Sequence, residues 1–203
     1  HLGHLEAAKT VCAELAPDKL LIIPDNIPPH KTMDSGSPTA EERLALCRIA
    51  FRSIPGAEIS DMEIRRRGKS YTAHTVRELR ERYPDDELFL VVGSDMLLSF
   101  EEWYEFEYLL SECTLAVVSR EEDELDALRA HKALLSEKYA ARVHILQHAP
   151  LPMNSSEIRV WLRLRLGSDL LDNAVYAEII RRRYYEAMPE LCWLREAVKP
   201  YLS

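Results

Sequence analysis

Near the start of the chain two histidines flank a glycine, His1-Leu2-Gly3-His4. Positions three apart on a helix share a face, so both imidazoles can serve one site. Gly3 removes a side chain between them and opens the backbone to a ligand. A helix N-terminus attracts anions, and two imidazoles add donors for phosphate oxygens. The plain alternative is a surface pair or the remnant of a purification tag. A second group lies far along the chain, just past Pro150 and Pro152: Asn154-Ser155-Ser156-Glu157-Ile158-Arg159. Asn154 reads as an N-cap, with Glu157 placed to close a capping box. That local role does not account for Arg159, which shares a helix face with Ser155 and Ser156. Two hydroxyls, free backbone N–H groups and a guanidinium on one face make a clamp for phosphate.

The elements that must hold these groups follow from hydrophobic spacing. Leu5, Ala8, Val11, Cys12 and Leu15 predict an amphipathic helix. The short apolar run Leu20 to Ile23, ended by Pro24, predicts a buried parallel strand. After a loop to about Pro38, Thr39 and Glu42 form a capping box for a helix whose apolar face is Leu44, Cys47 and Ala50. Further strands are expected within residues 57–64 and over 88–92, 115–118 and 143–146. Helices are expected from Thr72, over 101–110 and over 124–139, and the chain reads as helical only from Asn154 onward. Alternating strands and helices predict an α/β fold, a Rossmann-like parallel sheet with helices on both faces, followed by an all-helical C-terminal segment. Ligands in such sheets sit beyond the carboxyl ends of strands, where the informative residues fall.

Composition excludes several classes. The 203 residues are 47% hydrophobic and 30% charged, a globular balance. No apolar run approaches the roughly 20 residues of a membrane-crossing helix. The formal charge of -8 argues against general nucleic-acid binding despite the arginine triplets at 65–67 and 181–183. Cys12, Cys47, Cys113 and Cys192 form no CxxC or CxxH pair, so no zinc site is expected. They read as buried apolar groups in a reducing cytoplasm.

The two groups together resemble the HxGH nucleotidyltransferase superfamily. Between them, Pro28-Pro29-His30-Lys31, Asp61-Met62-Glu63 through Gly68-Lys69-Ser70-Tyr71-Thr72, Gly93-Ser94-Asp95 and Trp103 make the chain similar to the bacterial nicotinate-nucleotide adenylyltransferases, over about Leu2 to Tyr185. The resemblance implies a late step of NAD synthesis, adenylyl transfer from ATP to nicotinate mononucleotide. It implies catalytic roles for His1, His4, Lys31 and Arg159 on phosphate, with His30 nearby. Gly3, Gly93, Asp95, Ser155, Ser156 and Arg159 would bind ATP, Asp95 through a ribose hydroxyl. Tyr71, Thr72, Thr75 and Trp103 would form the nicotinate-nucleotide pocket, with backbone N–H groups near Thr75 receiving the carboxylate. Mg²⁺ is implied on the leaving phosphates, held mainly by substrate oxygens and water.

The chain also departs from the family. The glycine-rich segment and first strand that usually precede the first histidine are absent, so residues upstream are expected to be missing. Met153, Asn154 and Ser156 stand where the family prefers Ile, Ser and Thr. The expected organisation is a nucleotidyltransferase domain over 1–185 and a helical extension over 186–203, with Leu191, Leu194 and Val198 at helical spacing. The rival readings are phosphopantetheine adenylyltransferase, a nicotinamide-nucleotide adenylyltransferase, and a non-catalytic nucleotide-binding regulator. The expected partners are the two nucleotides, with no nucleic acid and no membrane, and a homo-oligomer is left open.

Overall fold

The computed structural model describes residues 1–29, 33, 35–119, 122–147 and 153–191. All its strand pairing is parallel. β1 (Leu20–Ile22) pairs with β2 (Ala57–Ile59), and a second sheet has the order β3 (Leu88–Gly93), β4 (Cys113–Val118), β5 (Arg142–Ile145). β4 has partners on both sides, and Cys113 to Val117 are all buried, as a central parallel strand requires. The described strands thus pair in two groups, β1–β2 and β3–β4–β5, all parallel as expected. β1 and β3 each have one partner among the described strands, and Phe89 and Val91 of β3 are each 37% exposed.

Side-chain alternation places helices on both faces of the larger sheet. Leu115 and Val117 join a core with Ala73 and Val76 of α4 (Thr72–Arg82), Leu97 of α5 (Ser94–Leu98), Leu109 and Leu110 of α6 (Phe106–Glu112), and Leu128 and Leu135 of α7 (Leu125–Tyr139). Ala116 faces the other way and meets Val11 of α1 (Leu2–Leu15), with Val118 and Leu146 beside it. The same helix lays Leu5 and Ala8 against Leu20, Ile22, Phe51 and Ile54 of the β1–β2 side. α1 thus packs on the β1–β2 side through Leu5 and Ala8 and on β4 through Val11.

α2 (Ala40–Ala50) has the capping box expected of it: the Thr39 hydroxyl accepts from the Glu42 N–H at 3.2 Å, and the Glu42 carboxylate accepts from the Thr39 N–H at 2.8 Å. β2 lies within the stretch expected to hold a strand and ends at Ile59, and a short helix, α3 (Met62–Arg66), follows it. The helix expected over 101–110 is broken. A single turn spans Phe100–Glu102, Trp103 is extended (φ −73°, ψ 144°), and Glu105 takes a left-handed conformation before α6 begins.

The C-terminal part is helical, as expected. α8 (Ser155–Arg163) and α9 (Asn173–Arg182) pack Ile158, Leu162, Val175, Tyr176 and Ile179 together and against Leu46 and Ile49 of α2. Asp172 caps α9 by accepting from the Ala174 and Val175 N–H groups. Residues 186–191 lie along these helices: the Met188 N–H donates to the Leu162 carbonyl, and the Glu190 N–H to the Tyr176 hydroxyl. The spacing through Leu194 and Val198 lies outside the described residues. Among the described residues no helix is long and apolar enough to cross a membrane.

Candidate functional site

The fold brings the two sequence groups into contact. His1 caps the start of α1 and Ser155 opens α8, and His1 Nε2 lies 3.0 Å from Ser155 Oγ. The His1 and His4 rings stack, with centroids 3.8 Å apart and planes inclined by 20°. His1 is half-buried and turned into the protein, its Nε2 on Ser155 and its buried Nδ1 lacking a partner among the described residues. His4 is the exposed member of the pair. His1 is thus placed to position Ser155 and His4, and His4 to meet a ligand.

Gly3 sits in tight packing against the His1 ring. A Cβ there would stand 3.0 Å from His1 Nδ1 and 3.5 Å from Met153 Cβ, so the space freed by glycine holds the His1 ring. The Gly3 N–H already donates to the Met153 sulfur at 3.3 Å. The Ser156 N–H is taken by the Asn154 side chain at 2.9 Å, and no reciprocal bond from Glu157 accompanies that cap among the described residues. Two backbone donors near the expected anion, those of Gly3 and Ser156, are therefore engaged, which leaves more of the task to side chains.

Arg159 lies one turn past Ser155 on α8, its guanidinium 4.9 Å from the centre of the Tyr185 ring. Burial pushes the Tyr185 hydroxyl above its ordinary value, and the charge of Arg159 opposes that rise. Arg43 of α2 completes this side. Its Nη1 donates to the Pro38 carbonyl at 2.9 Å, and its Nη2 to those of Asp25 and Asn26 at 2.7 and 2.8 Å. His1, His4, Arg43, Ser155, Arg159 and Tyr185 line the polar part of a cavity of about 220 Å³. Arg43 and Tyr185 were missed in the sequence because nothing local ties either to the motifs. The side chains of His30 and Lys31 lie outside the described residues.

Gly93 and Asp95 stand at the carboxyl end of β3. Gly93 precedes α5 with ordinary extended backbone (φ −76°), and Asp95 is exposed on its first turn. Neither is among the residues lining the cavity around His1.

The third group gathers at the start of α4. Tyr71 precedes the helix, Thr72 opens it, and His74 follows within the first turn. The Tyr71 ring lies 4.7 Å from Tyr104 and 5.6 Å from His74, and His74 meets Tyr104 edge-on at 5.6 Å. Tyr104, rather than Trp103, is the aromatic partner of Tyr71. Trp103 is half-buried and stacks on Phe100 at 5.0 Å, against the main core. The Thr75 hydroxyl is buried: it donates to Glu63 Oε1 and accepts from Arg66 Nη2 at 2.7 Å, and Arg66 also reaches Glu78. The Thr75 N–H points to the Tyr71 carbonyl at 3.4 Å. An ion pair between Arg77 and Glu105 ties this edge to α4 and holds the Glu105 carboxyl below its ordinary range.

Parallel sheets whose helix starts gather imidazoles, hydroxyls and guanidinium groups around one cavity define a phosphate-binding α/β domain. Residues 1–160 match the cytidylyltransferase-like family. A probable nicotinate-nucleotide adenylyltransferase of Geobacter sulfurreducens is 35% identical over 200 residues, covering 91% of this chain and 92% of that protein. One from Symbiobacterium thermophilum is 36% identical over 159 residues, 78% and 76% of the two chains. The chain belongs to the cytidylyltransferase-like family, and within it to the nicotinate-nucleotide adenylyltransferases. The fold agrees: the Plasmodium falciparum nicotinic acid mononucleotide adenylyltransferase complexed with NaAD superposes with a TM-score of 0.72 over 92% of each chain, at 12% identity.

Proposed function

We propose that this protein transfers the adenylyl group of ATP to nicotinate mononucleotide, forming nicotinate adenine dinucleotide and pyrophosphate in NAD synthesis. The observation that carries this reading is the hydrogen bond between His1 and Ser155, which joins the histidine pair and the Ser-Arg helix start into one cationic site. The mononucleotide phosphate is already an anion and needs no general base. It attacks the α-phosphorus in line, the new P–O bond forming as the bond to the β-phosphate oxygen breaks. His4 donates toward the α-phosphoryl oxygens, with His1 fixing its ring. Ser155, Ser156 and Arg159 hold the β- and γ-phosphates, and Lys31 adds charge from the loop before α2. Catalysis is then positioning plus stabilisation of charge as it develops.

The donors around the cavity are imidazole, hydroxyl and guanidinium groups, suited to phosphate oxygens. A Mg²⁺ ion would accordingly travel on ATP, held by its oxygens and water, and would neutralise charge on the leaving pyrophosphate. Among the described residues no cluster of three His, Cys, Asp or Glu could hold a metal.

The mononucleotide is assigned to the start of α4, with the pyridine ring near Tyr71, Trp103 and the newly found Tyr104. Backbone donors at the first turn of that helix, those of Thr72 and Ala73, would receive the carboxylate, since the His74 and Thr75 N–H groups point to the Tyr71 carbonyl. The deciding measurement is pyrophosphate release from ATP with nicotinate mononucleotide, run beside the nicotinamide form. The acid should react with a kcat/KM at least about tenfold higher, because donors built for a carboxylate oppose an amide N–H. Equal turnover would remove the acid-specific assignment, and no release with either would remove the activity.

A further inference from the structure

Next to the first turn of α4 lies a buried carboxylate that adenylyl transfer does not use. Glu63 of α3 has a side chain only 10% exposed, and its Oε1 accepts from the Thr75 hydroxyl at 2.5 Å. The same hydroxyl accepts from Arg66 Nη2 at 2.7 Å. Arg66 Nη2 also stands 3.7 Å from Glu63 Oε1, and its Nη1 donates to Glu78 of α4 at 3.3 Å. Glu78 pairs in turn with Arg82. Glu63 and Glu78 are therefore balanced in charge by Arg66 and Arg82 across α3 and α4. Taking out one member of such a group leaves a charge buried without its partner.

This network reaches the helix start to which the mononucleotide carboxylate is assigned, and its part in recognition rests on that placement. Thr75 stands three residues past Thr72, about 4.5 Å of helix rise. Its side chain, held on α3 by Glu63 and Arg66, fixes the direction in which the Thr72 and Ala73 N–H groups open. Charge acts over the same short reach. Without Arg66, the Glu63 carboxylate would stand unbalanced about one helical turn from those donors, within the roughly 8–10 Å over which salt screens little, and would repel an anion there. We propose that Arg66 determines the preference for the acid over the amide mononucleotide, as a positioning residue that acts through Thr75 and offsets the charge of Glu63.

The test is pyrophosphate release from ATP with either mononucleotide varied, on Arg66→Met, Arg66→Lys, Glu63→Gln and Thr75→Val, each with a thermal melt. Arg66→Met should raise KM for nicotinate mononucleotide about tenfold and change KM for ATP and for the nicotinamide form less than about twofold. Arg66→Lys keeps the charge and should hold the acid preference within about threefold of the unaltered protein. Glu63→Gln retains an acceptor for Thr75 and deletes only the negative charge, so the acid preference should rise about threefold. Opposite signs at Arg66 and Glu63 are what a merely structural network would not produce. Thr75→Val, which breaks the anchor and alters no charge, should weaken both mononucleotides alike and spare ATP. If Arg66→Met does not fold, Glu63→Gln decides. An acid-to-amide ratio unchanged in Arg66→Met, unchanged or lowered in Glu63→Gln, or as low in Arg66→Lys as in Arg66→Met would each overturn the proposal whatever the melts show, and so would Thr75→Val without effect. An unaltered protein that turns over neither mononucleotide would remove the proposed transfer, and this role with it.

Discussion

His1 Nε2 and Ser155 Oγ meet at 3.0 Å across 154 positions of sequence, so the two halves of the phosphate site are one hydrogen-bonded unit. Groups in such a unit couple energetically. In a double-mutant cycle, His1→Ala and Ser155→Ala should each lower kcat/KM for ATP, and the pair together should cost less than the sum. The coupling energy is expected at about 0.5–3 kcal/mol. Strict additivity would mean that the bond positions nothing of catalytic consequence.

Arg159→Ala should reduce kcat/KM for ATP by about 10²–10³, the range for deleting a charge-stabilising donor. The loss of its contact with Tyr185 should cost no more than about 1 kcal/mol in unfolding free energy. Arg159→Lys should recover little activity, because an ammonium lacks the planar fork. A variant that melts far lower yet turns over normally would make Arg159 a structural residue.

Tyr104 and Trp103 should separate when replaced by alanine. Tyr104 is 48% exposed and packs on Tyr71 and His74, so Tyr104→Ala should raise KM for the mononucleotide several-fold and leave KM for ATP unchanged. Trp103 stacks on Phe100 against the core, so Trp103→Ala should lower Tm as well as weakening the mononucleotide. Quenching of Trp103 fluorescence by the mononucleotide would show that its indole also reaches the ring. Steady-state kinetics with each substrate varied, alongside thermal melts, distinguish these outcomes.

Cys113 opens β4 and is buried, which pushes its thiol from 9.0 up to about 11. The native state therefore holds the proton where the unfolded chain releases it, and stability falls as pH rises from about 9 toward 11. Between pH 8 and 10 this one group should remove about 1.3 kcal/mol of unfolding free energy. Urea titrations at both pH values should show a smaller loss for Cys113→Ala, whatever its packing cost at pH 8. Parallel pH dependence in the two proteins would contradict the burial.

What the sequence determined by itself is what local forces decide. The capping box at Thr39 and Glu42 forms because both partners sit within one turn. The helical and parallel-strand periods of α1, α7 and β4 appeared because a buried face leaves a repeat in the chain. The histidine pair and the Ser-Arg helix start were legible because each group lies within a turn or two of helix. The tertiary structure alone decided that these groups touch, that Arg43 is anchored on loop carbonyls, and that Tyr104 takes the place beside Tyr71. It also turned Thr75 inward to Glu63 and Arg66 and laid α1 against both the β1–β2 side and β4. These outcomes depend on contacts between segments far apart in sequence. Close packing and the pairing of buried polar groups select such contacts, and neither leaves a periodic mark in the chain.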